Sequence, residues 1–106
     1  MKNVCLMLMV LAMLASAAAL ADKLGKERDA KQAELNAACE AARQKKLVIV
    51  RAQYVEECVD KKQRADRATC ERFYADYGAS SANRAPLFYD LAECEAAHKY
   101  RNSYRR

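Results

Sequence analysis

Apolar side chains in the middle of the chain recur at helical spacing. Leu47, Val50, Tyr54 and Cys58 fall at i, i+3, i+7 and i+11, and Val48, Ala52, Val55 and Val59 form an adjacent stripe, so together they predict one wide buried face. The run Leu47-Val48-Ile49-Val50 is the only β-branched cluster that could be read as a strand, and the helical register absorbs it. Between Lys26 and Tyr77 there is neither Gly nor Pro, and Ala, Glu, Lys, Arg and Gln dominate, which favours helix throughout.

Upstream, Leu35, Cys39 and Ala42 make a thinner stripe on a helix expected to start soon after Asp22, with the charged stretch Arg43 to Lys46 as its expected interruption. Downstream, Cys70, Phe73 and Tyr77 share a stripe, Asp66 is placed to cap the helix N-terminus, and Gly78 stands where a left-handed C-terminal cap belongs. A loop follows from Ala79 to Ala85. The last helix has two candidate starts: Pro86 as its first residue, or Asp90 as N-cap with Glu93 closing a capping box, the second being favoured. That helix carries Leu91, Cys94 and His98 on one side and is expected to fray into the basic end Tyr100 to Arg106. The predicted fold is all-α, a small helical hairpin or bundle of three to four helices stapled by two disulfides.

Met1-Lys2-Asn3, an apolar run from Val4 and the close Ala19-Leu20-Ala21 have the three parts of a signal peptide, so 1–21 are expected to be a leader cleaved after Ala21. Val4 to Ala21, 18 residues without formal charge, could instead be an uncleaved anchor at the lower limit for a bilayer span. Cys5 lies too early and Cys39 too late for a lipoprotein. The expected mature chain, 22–106, is one small α-helical domain of 85 residues, exported to the periplasm or the extracellular space, with no stable membrane anchor. It holds 18 Lys and Arg against 14 Asp and Glu, a formal +4. The two signs alternate along the helices, a pattern of solvated faces and not of specific nucleic-acid binding.

Four cysteines stay in the mature chain: Cys39, Cys58, Cys70 and Cys94. An even number in a short exported chain predicts two disulfides. In one unbroken helix Cys58 and Cys70 would lie about 18 Å apart, whereas a disulfide holds Cα atoms roughly 4.4 to 6.8 Å apart. Bonding them requires a reversal, and the polar segment Lys61 to Asp66, centred at Arg64, is a suitable place for one. The favoured pairing is therefore Cys58 with Cys70 and Cys39 with Cys94. Its competitor, Cys39 with Cys58 and Cys70 with Cys94, would need a reversal near Val48, inside the most apolar run.

Catalytic patterns are scarce, so the chain is expected not to be an enzyme and to need no cofactor. There is one histidine, no CxxC, and no nucleophile elbow. Glu56-Glu57 and Glu93 with Glu95 are paired in sequence but point apart on a helix. Cys94 and His98, four apart, could share a face as two metal ligands, which is the alternative function, although zinc would compete with disulfide formation. Six tyrosines are the more unusual feature. Phe73, Tyr74, Tyr77, Phe88 and Tyr89 are expected to pin the 78–86 loop, and Tyr74, Tyr77, Phe88 and Tyr89 form a candidate binding surface. The tail residues Tyr100, Arg101, Tyr104, Arg105 and Arg106 could touch an anionic surface, though a frayed terminus is favoured.

The stretch Ala38-Cys39-Glu40-Ala41-Ala42 through Tyr54-Val55-Glu56-Glu57-Cys58-Val59 resembles the phosphate-starvation-inducible periplasmic repeat family of bacteria. Those repeats hold a Cys, a basic and Ala-rich middle, and a second Cys near a helix end; here the family's glycine in the middle is missing. The resemblance implies an envelope protein without known catalysis and a link between Cys39 and Cys58. From export, cysteines and helical stripes, the expected function is a non-enzymatic envelope protein, a binding, structural or stress-related module whose partner is a macromolecule of the cell envelope.

Overall fold

A computed structural model of the chain describes residues 2–105, with side chains described for 16–105. It contains three helices, α1 (Lys2–Asp60), α2 (Arg67–Tyr74) and α3 (Ala92–Tyr104). Among the described residues there is no strand, only an isolated bridge between Ser81 and Arg84. The all-α prediction is correct, and so is the nested pairing: Cys39 is bonded to Cys94 and Cys58 to Cys70. The Cys39 to Cys58 link implied by the family resemblance is not formed. Two disulfides in so small a chain belong to an oxidising, non-cytoplasmic environment.

The chain divides into two units, Met1–Glu34 and Leu35–Arg106. In the first, α1 begins at Lys2, well before the start expected after Asp22, because the Ala- and Leu-rich run is itself strongly helix-forming. Its described surface carries exposed Leu20 and Leu24 and ion pairs between Asp22 and Lys26 and between Lys31 and Glu34. The leader expected over 1–21 falls in part on Met1 and on the side chains of 2–15, which lie outside the described residues. Among the described residues no helix is long and apolar enough to cross a membrane.

In the second unit α1 runs on to Asp60 with no break at Arg43 to Lys46, where an interruption was expected. The reversal comes where the Cys58 to Cys70 pairing required it: Lys62 takes a left-handed φ of 52°, and Gln63 N–H donates to the Cys58 carbonyl. Asp66 caps α2 as predicted, its carboxylate accepting from the Thr69 backbone N–H at 2.8 Å and the Thr69 hydroxyl at 2.6 Å. The hydroxyl bond first, and the backbone bond with it, hold the Asp66 carboxyl below its ordinary value. α2 then packs on the end of α1 through Val55, Cys58, Cys70, Val59 and Tyr74.

α3 is fastened along α1 by a separate cluster, Cys39, Cys94 and Ala97 with Leu35 and Leu91. Its N-cap is Leu91 with no side-chain cap, so the Asp90–Glu93 capping box is not formed, and neither is a start at Pro86. Leu91 packs against the cystine, and its carbonyl takes the N–H groups of Cys94 and Glu95, which sets the first turn one residue later than Asp90 would. The C-terminus does not fray at Tyr100: helix continues to Tyr104, with Tyr100 and Tyr104 edge to face at 5.5 Å and Arg101 donating to Asn36. Arg106 lies outside the described residues.

One predicted stripe splits. Val55 and Val59 turn inward, but Val48 is 64% exposed and Ala52 also faces out. α2 reaches this side of α1 only near its end, where Arg67 pairs with Glu56, and Val48 and Ile49 stay exposed.

Candidate functional site

The segment from Ala75 to Leu91 carries most of the unpredicted chemistry. α1 meets it with four residues spaced by single turns: Cys39, Arg43, Leu47 and Arg51. Arg43 is 5% exposed. Its Nε donates to the Leu87 carbonyl at 2.9 Å, its Nη2 to the Gly78 carbonyl at 3.3 Å, and its Nη1 pairs with Glu40 at 2.7 Å. One turn further, Leu47 is the most buried large aliphatic side chain among the described residues, and Arg51 Nε donates to the Tyr77 carbonyl at 2.9 Å. Two guanidiniums thus satisfy three carbonyls of a segment that has no helix or sheet of its own to do so. A bond from Leu87 N–H to the Gly78 carbonyl closes the base of the excursion. Glu40 receives bonds from Gln44 and then Arg43, which keep its carboxyl below the ordinary value and so keep Arg43 compensated.

Replacing Arg43 by lysine retains the charge but not the planar fork. Loss of one carbonyl bond and of stacking on Tyr89 is expected to lower stability by about 1 to 3 kcal/mol, measured by urea unfolding under non-reducing conditions. An unchanged urea midpoint would show that charge alone suffices.

The predicted aromatic surface is divided by this clamp into two groups. Tyr74 and Tyr77 join Tyr54 in a half-buried cluster: Tyr54 stacks on Tyr74 at 5.4 Å and meets Tyr77 edge-on at 4.9 Å. Phe73 abuts Tyr74 at 4.9 Å and lies under Arg64 at 3.8 Å. The Tyr54 hydrogen bond pushes the Tyr77 hydroxyl up from its usual value. Phe88 and Tyr89 form the second group. The Lys46 ammonium sits 4.4 Å from the Phe88 ring centre and the Arg43 guanidinium 4.1 Å from that of Tyr89. The loop is therefore held by the Arg43, Leu47 and Arg51 row, and not by all five aromatics expected to pin it.

Phe88 has a φ of +67°, a conformation that costs a bulky side chain about 1 to 2 kcal/mol and calls for local compensation. The ring contact with Lys46 and the bonds on either side of it supply that compensation. Tyr89, the next residue, is 51% exposed. It borders an open groove of about 670 Å³ shared with Asp90, Glu95, His98, Lys99 and Asn102.

The metal reading of Cys94 and His98 does not survive. The Cys94 sulfur is consumed in the bond to Cys39, and His98 is exposed with its Nε2 3.0 Å from the Asn102 amide nitrogen. Among the described residues no group of three or more His, Cys, Asp and Glu is arranged to hold a metal ion. The clamp left one signal in the sequence: Arg43 and Arg51 lie on the same four-residue line as Cys39 and Leu47, so basic residues interrupt an apolar stripe. Compared with known proteins, the chain matches no family model, no curated protein and no solved structure.

Proposed function

We propose that the protein is a non-catalytic module of the periplasm or the extracellular space that binds a macromolecule of the cell envelope through the Phe88–Tyr89 corner. The observation that carries this reading is the corner itself: a left-handed Phe88, backed by Lys46, that holds an exposed tyrosine beside an open groove. Strained backbone is kept where surrounding structure over-determines it, commonly at binding sites. Tyr and Arg are also the side chains that bring most binding energy per residue at interfaces. Two cystines give an 85-residue mature chain the rigidity to present such a corner without a large core. Export by a leader cleaved after Ala21, the reading given to residues 1–21, and the two cystines support the same compartment.

The test is capture from native envelope extract on immobilised, disulfide-bonded protein, run beside a variant carrying Phe88→Gly and Tyr89→Ala with an unchanged melting curve. The wild type is expected to retain at least one envelope species that the variant loses. Equal recovery on both surfaces, or none on either, would remove the corner as a binding site.

A further inference from the structure

We infer that the outer face of α1 is a self-association surface that takes a second copy of this chain, packed antiparallel. Ala41, Lys45, Val48, Ile49, Ala52 and Glu56 all lie on one face of α1, opposite Leu47, Tyr54 and Cys58, and all are exposed. Val48 is 64% and Ile49 57% exposed, two adjacent β-branched side chains that no described element covers. Ala41 and Ala52 on either side leave room for another helix to approach closely.

Charge selects the occupant. The basic residue of the face, Lys45, precedes the apolar pair, and the acidic residues, Glu56 and Asp60, follow it. Read from the opposite end, this pattern is its own complement. A two-fold axis crossing α1 between Val50 and Arg51 sets Ile49 of each copy against Ala52 of the other and Lys45 of each against Glu56 of the other, every contact occurring twice. A parallel copy would place like charges together. Lys45 has no hydrogen bond or ion pair to another described residue. Glu56, held ionised by the Arg67 guanidinium, keeps 58% of its side chain exposed. A groove of about 500 Å³ that Lys45 and Ile49 of this face share with Ala38, Ala42, Leu91 and Glu93 adjoins it.

Sedimentation equilibrium of the disulfide-bonded protein over a concentration series tests this, with Lys45→Glu, Glu56→Lys, both together, and Ile49→Asp. The wild type is expected to show a monomer–dimer equilibrium. Each single reversal should weaken it by about tenfold or more through two like-charge contacts, the combined swap should restore it, and Ile49→Asp should be monomeric. In Glu56→Lys the ion pair to Arg67 is lost, but the Cys58–Cys70 bond still ties α2 to α1, and a far-UV spectrum equal to wild type verifies that the helices persist. A monomer at every concentration, assemblies larger than a dimer, or a swap that fails to restore association would overturn the inference.

Discussion

Changing Gly78 to alanine is expected to destabilise the protein by roughly 2 to 4 kcal/mol, among the largest effects available from one methyl group in this chain. Two causes act at one place. Gly78 has a φ of +87°, where an L-side chain is strained, and a Cβ built there falls well inside the van der Waals shell of Leu47 Cδ2. Leu47 cannot move aside freely, since it is only 1% exposed and flanked by the Arg43 and Arg51 clamps. Thermal unfolding under non-reducing conditions measures the loss. The clash is specific to this pair, so Leu47→Ala in the same chain should recover part of it, and the double variant should be less destabilised than the sum of the two singles. Strict additivity would mean that the two side chains do not compete for space.

Removing the Cys39–Cys94 bond by changing both residues to alanine is expected to cost roughly 4 kcal/mol in the chain-entropy model, because the bridge closes a separation of 55 residues. The Cys58–Cys70 bridge, with a separation of 12, should cost roughly 3 kcal/mol by the same reasoning. The two losses should also differ in place. Apart from the cystine, α3 is held to α1 by few buried groups, chiefly Ala97 with Leu35 and Leu91. Hydrogen exchange read by mass spectrometry should therefore show α3 losing protection in the Cys39/Cys94 variant while the α1–α2 hairpin keeps it through Val55, Val59 and Tyr74. Protection of α3 unchanged from wild type would show that its apolar contacts suffice without the bond.

The clamp explains why some residues of the candidate surface were legible in the sequence and others were not. Phe88 and Tyr89 stood out as aromatics beside a loop, yet nothing in their spacing distinguishes them from Tyr74 and Tyr77, which serve the Tyr54 cluster. What separates the two groups is the source of the contacts: Phe88 and Tyr89 each lie against a cation of α1, Lys46 and Arg43, more than 40 residues away in sequence. Arg43 itself read as part of a charged interruption. A guanidinium becomes a structural residue only where carbonyls without partners are brought to it, and that depends on the path of the loop.

By itself the sequence determined what local physics controls. Helical spacing in the 47–59 region, the Asp66 cap with Thr69, and the polar reversal at 61–66 involve residues a few positions apart, and together they lead to the Cys58–Cys70 bond and, by elimination, to Cys39–Cys94. The tertiary structure decided how far the two adjacent stripes are covered, burying Leu47 and Cys58 of one and splitting the other between buried Val55 and exposed Val48. It also decided that Arg43 and Arg51 fasten the 75–91 segment, that Leu91 and not Asp90 begins α3, and that Phe88 sits in a left-handed conformation. Hydrogen bonds within a turn are set by neighbours along the chain. Burial and long-range satisfaction of carbonyls are set by whichever distant segment arrives, and a single sequence does not print that arrival.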